Sequence, residues 1–474
     1  MQALHALLID FGSTYTKLRA VDLARARIVG SGQGPSTVTT DVTIGLTLAL
    51  EDLGARIGGL PSFRYRLASS SAAGGLRMVT VGLVKELTAE AARRAALGAG
   101  AKLAGAFAYR LTRGDIEQIE AIAPDIVLLS GGTDGGNSDV IRYNAAVLAE
   151  SVLACPIIIA GNRNAADEIA SLFAARGKTV RLTKNVMPEF NVLDIEPARE
   201  AIRQVFIERI VHAKGIDRAQ ALFDQVLMPT PAAVLDGARL VAEGTPERHG
   251  LGNLLVVDVG GATTDVHSIC SGDPTRSGVI LQGLPEPLAK RTVEGDLGMR
   301  HNAATIVETV GAPEIAAQAG LSEATVTQLL NRAHANVEWL PASPDEAAFD
   351  YALAVAAVRL AVIRHAGTIE TVYTALGPAV VQRGKDLSEI QALIGTGGPL
   401  VHARDPRAIL AAALADGRAP HALLPTRPRL IIDRAYLLYA VGLLATVDKQ
   451  AALDLALNNL ESLEDVPHGA TTAA

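Results

Sequence analysis

The chain has 474 residues, 49% of them hydrophobic and 20% charged, and a formal net charge of −7. Such a chain buries a substantial core and divides into two or more domains, which excludes an intrinsically disordered protein. The acidic balance, with no Lys/Arg-rich block, argues against a nucleic-acid backbone as the main partner. The best apolar run, SVLACPIIIAG, is too short for a membrane span and is broken by Pro156. The N-terminus enters a strand without the basic start and cleavage site of a signal peptide. Cys155 and Cys270 lack metal-ligand spacing and read as reduced, buried thiols. These features together predict a cytoplasmic protein.

In chain order, HALLID is an apolar strand that runs into Asp10-Phe11-Gly12, passes Ser13, Thr14 and Thr16, and returns as a second strand. RIVGSGQGPSTV reads as a third strand, VTIGLTLALEDLGARIG as a helix stopped by glycines, and YRLASSSAAGG as a strand entering a small-residue turn. From about Leu76 to Asp217 strands and helices alternate. TAEAARRAALGAGAKLAGAF is predicted as a helix, PDIVLLSGG as a buried strand, SDVIRYNAAVLAESV as a helix and CPIIIAGN as a strand. AADEIASLFAARGK and TVRLTKNV continue the alternation, which predicts an inserted parallel α/β unit. MPTPAAVLDGARLVAEG is a helix introduced by Pro229 and Pro231. NLLVVDVGGATTDVHSI then repeats the opening hairpin, with Asp258, Gly260, Gly261, Thr263, Thr264 and Asp265 in and around its turn. SGVILQGLPEPLAKRTVEGDLGMR supplies a strand and a loop. The stretch from HNAATIVETV to about Leu393 reads as mostly helical. LIGTGGPLV is a strand with a glycine turn, LIID a short strand, AYLLYAVGLLATV a small-residue helix, and ESLEDVPHGATTAA a loose tail.

The repeated hairpin carries the chemistry. Glycine lets the backbone approach a polyphosphate, and successive amides with flanking hydroxyls donate to its oxygens. Asp10 and Asp258 would repel phosphate unless a cation, typically Mg²⁺ held through water, stood between them. A single such hairpin reads as an ordinary tight turn. Two copies half a chain apart imply a nucleotide clamped between two related lobes.

That order of parts resembles the actin, Hsp70 and sugar-kinase superfamily, in which two ribonuclease-H-like lobes close on ATP. DFGSTYTK (10–17) is similar to its first phosphate loop, with Lys17 where actin-type loops place a lysine. PTPAAVLDGARLVA (229–242) is similar to the first hinge helix, DVGGATTD (258–265) to the second phosphate loop, GTGGPL (395–400) to the adenosine loop, and AYLLYAVGLL (435–444) to the second hinge helix. GDLG (295–298) resembles the loop entering the upper part of the second lobe. Within that superfamily, LLSGGTDGGN, NVMPEFNVLDIEPAREAI, VVDVGGATTDVHS, EGDLGMR and GTGGPLV resemble the glutamate-mutase-associated MutL (GlmL) family, which is unrelated to the mismatch-repair protein of the same name.

The resemblance implies an α/β fold of two such lobes, with an inserted parallel α/β unit in the first and a helical insertion in the second. The expected division is 1–75 for the first lobe, 76–217 for the inserted unit and 218–250 for the hinge helix completing lobe one. The second lobe follows at 251–460, helical over about 300–392, and 461–474 is the tail. It also implies an ATP-binding and ATP-hydrolysing accessory protein, a chaperone or reactivating factor, for an adenosylcobalamin-dependent glutamate (methylaspartate) mutase. ATP and Mg²⁺ would be the cofactors. Asp10, Asp258 and Asp265 are then the candidate catalytic acids, the first two also holding Mg²⁺. Gly12, Ser13, Thr14, Lys17, Gly260, Gly261, Thr263, Thr264, Gly395, Thr396, Gly397 and Gly398 are the candidate nucleotide contacts.

Each signal has a plainer reading beside it. Lys17 also fits a solvated strand residue, Asp265 a cap or cross-lobe pair, and Gly395–Gly398 a strand-to-helix turn. SGGTDGGNSD (130–139) presents amides at a helix start and also fits a sharp turn. Asp265-Val266-His267 matches the start of a cobalamin-binding Asp-x-His-x-x-Gly pattern, but Cys270 takes the glycine position and His267 lies on the outgoing strand. Two other functions share the superfamily: a small-molecule kinase, for which no acceptor-activating carboxylate is identified, and an actin-like filament former.

Overall fold

A computed structural model describes residues 5–12, 15–37, 41–71, 77–213, 224–375 and 377–463. Ser13, Thr14 and the tail beyond 463 lie outside the described residues. Three strands open the chain as an antiparallel meander: β1 (His5–Phe11), β2 (Tyr15–Asp22) and β3 (Arg27–Pro35). A helix, Val42–Ile57, covers them, begun by the Asp41 side chain accepting from the Thr43 amide and ended by left-handed Gly58. β4 (Phe63–Ser70) then pairs parallel to β1.

The chain leaves this sheet to build β5 (Arg77–Gly82), β6 (Lys102–Ala108), β7 (Ile126–Leu129), β8 (Ile157–Ile159) and β9 (Val180–Leu182), a wholly parallel sheet ordered β6-β5-β7-β8-β9. It returns through helix Glu196–Ala213 to β10 (Gln225–Pro229), which pairs parallel to β4. The first sheet is therefore ordered β10-β4-β1-β2-β3.

The second half repeats the plan. β11 (Leu254–Val259) and β12 (Thr264–Ile269) form a hairpin, β13 (Val279–Leu281) follows, and β14 (Ala289–Glu294) extends the hairpin antiparallel. Four helices follow, Ala303–Val310, Ala312–Ala319, Glu323–Ala335 and Pro344–His365. The last is begun by a capping box between Ser343 and Glu346. After β15 (Thr368–Thr374) and β16 (Gly377–Arg383), β17 (Ala392–Thr396) and β18 (Arg429–Ile432) add parallel to β11 in turn. A two-residue β19 (Glu461–Ser462) ends the order β14-β12-β11-β17-β18-β19. Hairpin, third antiparallel strand on one side and two parallel strands on the other recur in both sheets.

The period-two alternation of the strands divides the core into layers. Ala6 and Leu8 of β1, with Leu254 and Val256 of β11, face one shared apolar cluster that holds both hinge helices, Thr230–Glu243 and Leu438–Leu444. Leu7, Ile9 and Phe11 face outward into a cluster with the inserted unit, and Leu255, Val257 and Val259 into the helices of the second half. The hinge helices thus lie between the sheets. They meet closely: a β-carbon on Gly442 would stand 1.9 Å from the Ala233 carbonyl oxygen, and one on Gly237 2.2 Å from that of Leu438.

Two expectations change. Residues 102–108, read as the end of a helix, are strand β6, because the helix stops at Gly98 and left-handed Gly100 turns the chain. Residues 368–383, read within the helical stretch, are an antiparallel hairpin that pairs with β13, favoured by the β-branched alternation of TIETVYT. No helix among the described residues is long and apolar enough to cross a membrane.

Candidate functional site

The two hairpins place their aspartates at equivalent points. Asp10 stands opposite Lys17 at the end of β1, and Asp258 opposite Asp265 at the end of β11. Asp10 is buried, and its Oδ1 accepts hydrogen bonds from Thr230 (2.6 Å), the first residue of the first hinge helix, and from Ser69 of β4 (3.4 Å). Burial raises the Asp10 carboxyl above the usual carboxylate range, partly offset by Thr230 and by the charge of Lys17. Burial and the neighbouring Asp265 push Asp258 up to about 7, with Lys17 pulling the other way. Lys17 therefore sits within electrostatic reach of both aspartates, in the space between the lobes.

A third acid closes the group. Asp433, at the end of β18, is buried and accepts from the amides of Leu437 (2.7 Å) and Leu438 (3.1 Å), capping the second hinge helix. The Tyr439 hydroxyl, on the same helix and near Asp10, is buried without a hydrogen-bond partner among the described residues. Three carboxylates, with the Lys17 ammonium and the Arg19 guanidinium beside them, gather in a poorly solvated place. That donor set fits a divalent cation held largely through water. Among the described residues no cluster of three or more His, Cys, Asp or Glu has the form of a direct metal site.

The turns differ in how they are built. At Gly12 a β-carbon would stand 2.6 Å from the Tyr15 carbonyl oxygen, so the turn itself needs glycine there. Ser36 holds the Gly12 carbonyl from outside (2.8 Å). In the second turn the Gly260 carbonyl accepts from Met299, that of Gly261 from Arg300 and His301, and that of Ala262 from the Asn302 side chain. With those carbonyls engaged on one side, the amides of Gly261, Ala262 and Thr263 donate to no acceptor among the described residues. A β-carbon on Gly261 would meet nothing closer than 3.8 Å, whereas one on Gly260 would lie 2.9 Å from the Thr263 carbonyl oxygen.

Hydroxyls and acids around this turn are tied to the protein. Thr264 donates to the Leu297 carbonyl (2.7 Å) and Thr263 to Asp265 Oδ2 (3.0 Å). Asp265 Oδ1 accepts from Arg291 Nη2 (2.6 Å) and Nε (2.9 Å), and Arg291 Nη1 reaches the Leu97 carbonyl of the inserted unit (3.1 Å). Thr16 is buried within β2.

The third turn meets the second hairpin directly. Thr396 is the register partner of Asp258, and Gly397, with φ +94°, brings its α-carbon so close that a β-carbon would stand 2.7 Å from Asp258 Oδ1. Gly395 packs on Leu410 and Leu400, while Gly398 starts the short helix Gly398–Val401. Across the cleft, Arg19 of β2 donates to the Ala435 carbonyl (3.1 Å), and the Lys17 ammonium lies 5.1 Å from the centroid of the Tyr436 ring. A cavity of about 860 Å³ flanks the second turn, bounded by Ser71, Gly100, Thr263, Asp265 and Glu294.

The structure thus brings together the described members of all three predicted loops. The loop 130–139 lies elsewhere, at the carboxyl end of β7, its backbone braced by the buried Asn162 and Asn185. His267 is buried, and burial pushes its ring down to about 3, so it is a neutral core residue. Sequence reasoning missed Thr230, Arg291, Tyr436 and Asp433. The last was legible, since LIID repeats the apolar strand ending in aspartate seen in LLID at 7–10.

A duplicated sheet, hinge helices between the copies and paired Asp-x-Gly hairpins facing across them define a two-lobed protein of the actin and sugar-kinase type. Residues 6–460 match the model of a family described as MutL protein. "Protein MutL" of Clostridium tetanomorphum is 47% identical over 440 residues, which are 93% of this chain and 95% of that protein. The chain belongs to the MutL protein family. Solved structures are similar at a lower level. They include the 2-hydroxyisocaproyl-CoA dehydratase activator from Clostridium difficile with bound ADPNP (12% identity, TM-score 0.31, 96% of each chain). Xylulose kinase from Bifidobacterium adolescentis is 13% identical, with TM-score 0.32 and coverage of 96% of this chain and 93% of that one. These likenesses are remote, and the topology stands without them.

Proposed function

We propose that the chain binds Mg²⁺–ATP between the two hairpins and acts as an ATP-dependent accessory factor for an adenosylcobalamin-dependent mutase of the glutamate mutase type. The observation that carries the nucleotide reading is the pair of Asp-x-Gly hairpins with Lys17 between their aspartates and, in the second, three unengaged amides. Mg²⁺, when bound, neutralises carboxylate and phosphate together. Asp10 and Asp258 would hold it, Lys17 and the 261–263 amides would receive the phosphates, and Gly397 would give the nucleotide close access beside Asp258. Asp265, paired to Arg291 and bonded by Thr263, positions the turn.

The mutase partner rests on family membership. The inserted sheet is the proposed contact for it, because it adds surface without altering either hairpin. Radical chemistry belongs to that partner, since no cobalamin histidine loop is present in the sequence. A glutamate mutase inactivated by turnover, then given this protein, ATP, Mg²⁺ and fresh adenosylcobalamin, should recover activity. Recovery should need ATP and fail with Asp10→Ala. Absence of both recovery and physical association with the mutase would contradict the accessory role.

The cavity beside Thr263 and Asp265 supports a second reading, a small-molecule kinase with its acceptor seated there. ATP turnover strongly stimulated by one hydroxyl compound would favour it.

A further inference from the structure

Tyr436 is unusual in both backbone and contacts. Its φ is +52°, a left-handed conformation that a bulky aromatic residue adopts only where its surroundings enforce it. Those surroundings are visible. Asp433 receives the amides of Leu437 and Leu438 just beyond Tyr436, and the Tyr436 amide donates to the Asp433 carbonyl (3.3 Å). Arg19 crosses from the other lobe to bond Ala435 just before it. The backbone is therefore pinned on both sides, and the ring is fixed in the cleft. Lys17 lies over it at 5.1 Å. Its hydroxyl is 3.8 Å from where a β-carbon of Gly398 would stand. The ring thus bridges the lysine of the first hairpin and the glycine turn at 395–398.

We propose that Tyr436 is a gate on the nucleotide cleft: its ring holds the Lys17 ammonium across the lobes, and an entering polyphosphate must take that ammonium from it. This rests on the nucleotide reading above. A cation over a phenol ring is a moderate attraction, strong enough to keep a flexible lysine in one place and weak enough to yield to a triphosphate. The gate therefore discriminates by charge. A polyphosphate repays the displacement of Lys17, whereas a nucleoside without phosphates leaves Lys17 on the ring.

The test is calorimetric titration of Mg²⁺–ATP into wild type and into Tyr436→Ala and Tyr436→Leu, each checked for folding by circular dichroism. Removing the ring frees Lys17 and should tighten ATP binding about three- to tenfold. Tyr436→Phe, which keeps the ring, should restore the weaker binding. In a Lys17→Met background the gain from losing the ring should vanish. Unchanged or weaker binding in the ring-less variants, or the same gain without Lys17, would overturn the gate while leaving the nucleotide site intact. Absence of ATP binding by wild type would remove the nucleotide reading and the gate with it.

Discussion

Asp258 is the residue whose charge state the fold controls most visibly. Its carboxyl titrates near 7 in the folded chain, against 3.8 ordinarily, because it is poorly solvated and faces Asp265. A raised carboxyl favours the folded state while it is neutral. That contribution is complete below about pH 4 and is lost as the pH rises towards 7. At pH 8 the ligand-free protein carries an unfavourable charge worth on the order of 2 kcal/mol, allowing for its partial exposure to the cleft. Asp258→Asn should therefore raise the melting temperature at pH 8, have little effect at pH 4 to 5, and abolish Mg²⁺-dependent ATP binding. Melting curves across that range decide it, and equal destabilisation at both pH values would contradict this account of the charge. Asp10 and Asp258 were legible in the sequence because aspartate recurs at the end of an apolar strand before glycine. Tyr436 and Arg291 were not. A tyrosine just before a hinge helix and an arginine in a strand acquire their roles only from partners 419 and 194 residues away in the chain, Lys17 and Leu97.

The hinge helices are the elements that set how the lobes sit. Their contact is built on backbone proximity at Gly237 and Gly442, not on interdigitating side chains. Gly442→Ala would press a methyl group into the Ala233 carbonyl, and overpacking of this kind costs about 1–3 kcal/mol. Chemical denaturation should show that loss, and a variant as stable as wild type would mean that the helices separate freely. The small residues of both helices made the packing readable from sequence. Hairpins, hinge helices and inserted sheet were also legible, since each has a strong period or a turn signal. The hairpin at 368–383 was not: β15 is largely exposed and β16 only half-buried, so they lack the apolar run that marks a buried strand.

At the scale of the whole molecule, the inserted sheet bridges the lobes. One face, including Met78, Ile126 and Leu128, shares a core with the first sheet. Helix Glu90–Gly98 meets the second lobe through an Arg94–Glu286 ion pair at 2.9 Å and the Arg291–Leu97 hydrogen bond. Arg291 thus ties the strand leaving the second phosphate turn to the unit proposed to meet the mutase. A nucleotide changes mutase affinity only if it distinguishes the states this link joins. Arg291→Ala leaves Asp265 without its cation and should cost about 2–4 kcal/mol. It should also reduce the difference in mutase affinity between the ATP and ADP states. Denaturation and binding assays measure the two effects, and a stable variant with undiminished nucleotide dependence would rule the link out.

Everything proposed for the molecule depends on the paired hairpins holding a metal-bound nucleotide. The most direct test is calorimetric titration of ATP into the wild-type chain with Mg²⁺ and again in excess chelator, alongside Gly261→Val. A β-carbon at Gly261 would meet nothing closer than 3.8 Å, so that variant should fold and its defect should appear only when phosphate approaches. Saturable binding with Mg²⁺, a large loss of affinity in chelator and none by folded Gly261→Val is the predicted result. Equal affinity in chelator, or normal affinity in Gly261→Val, would contradict it.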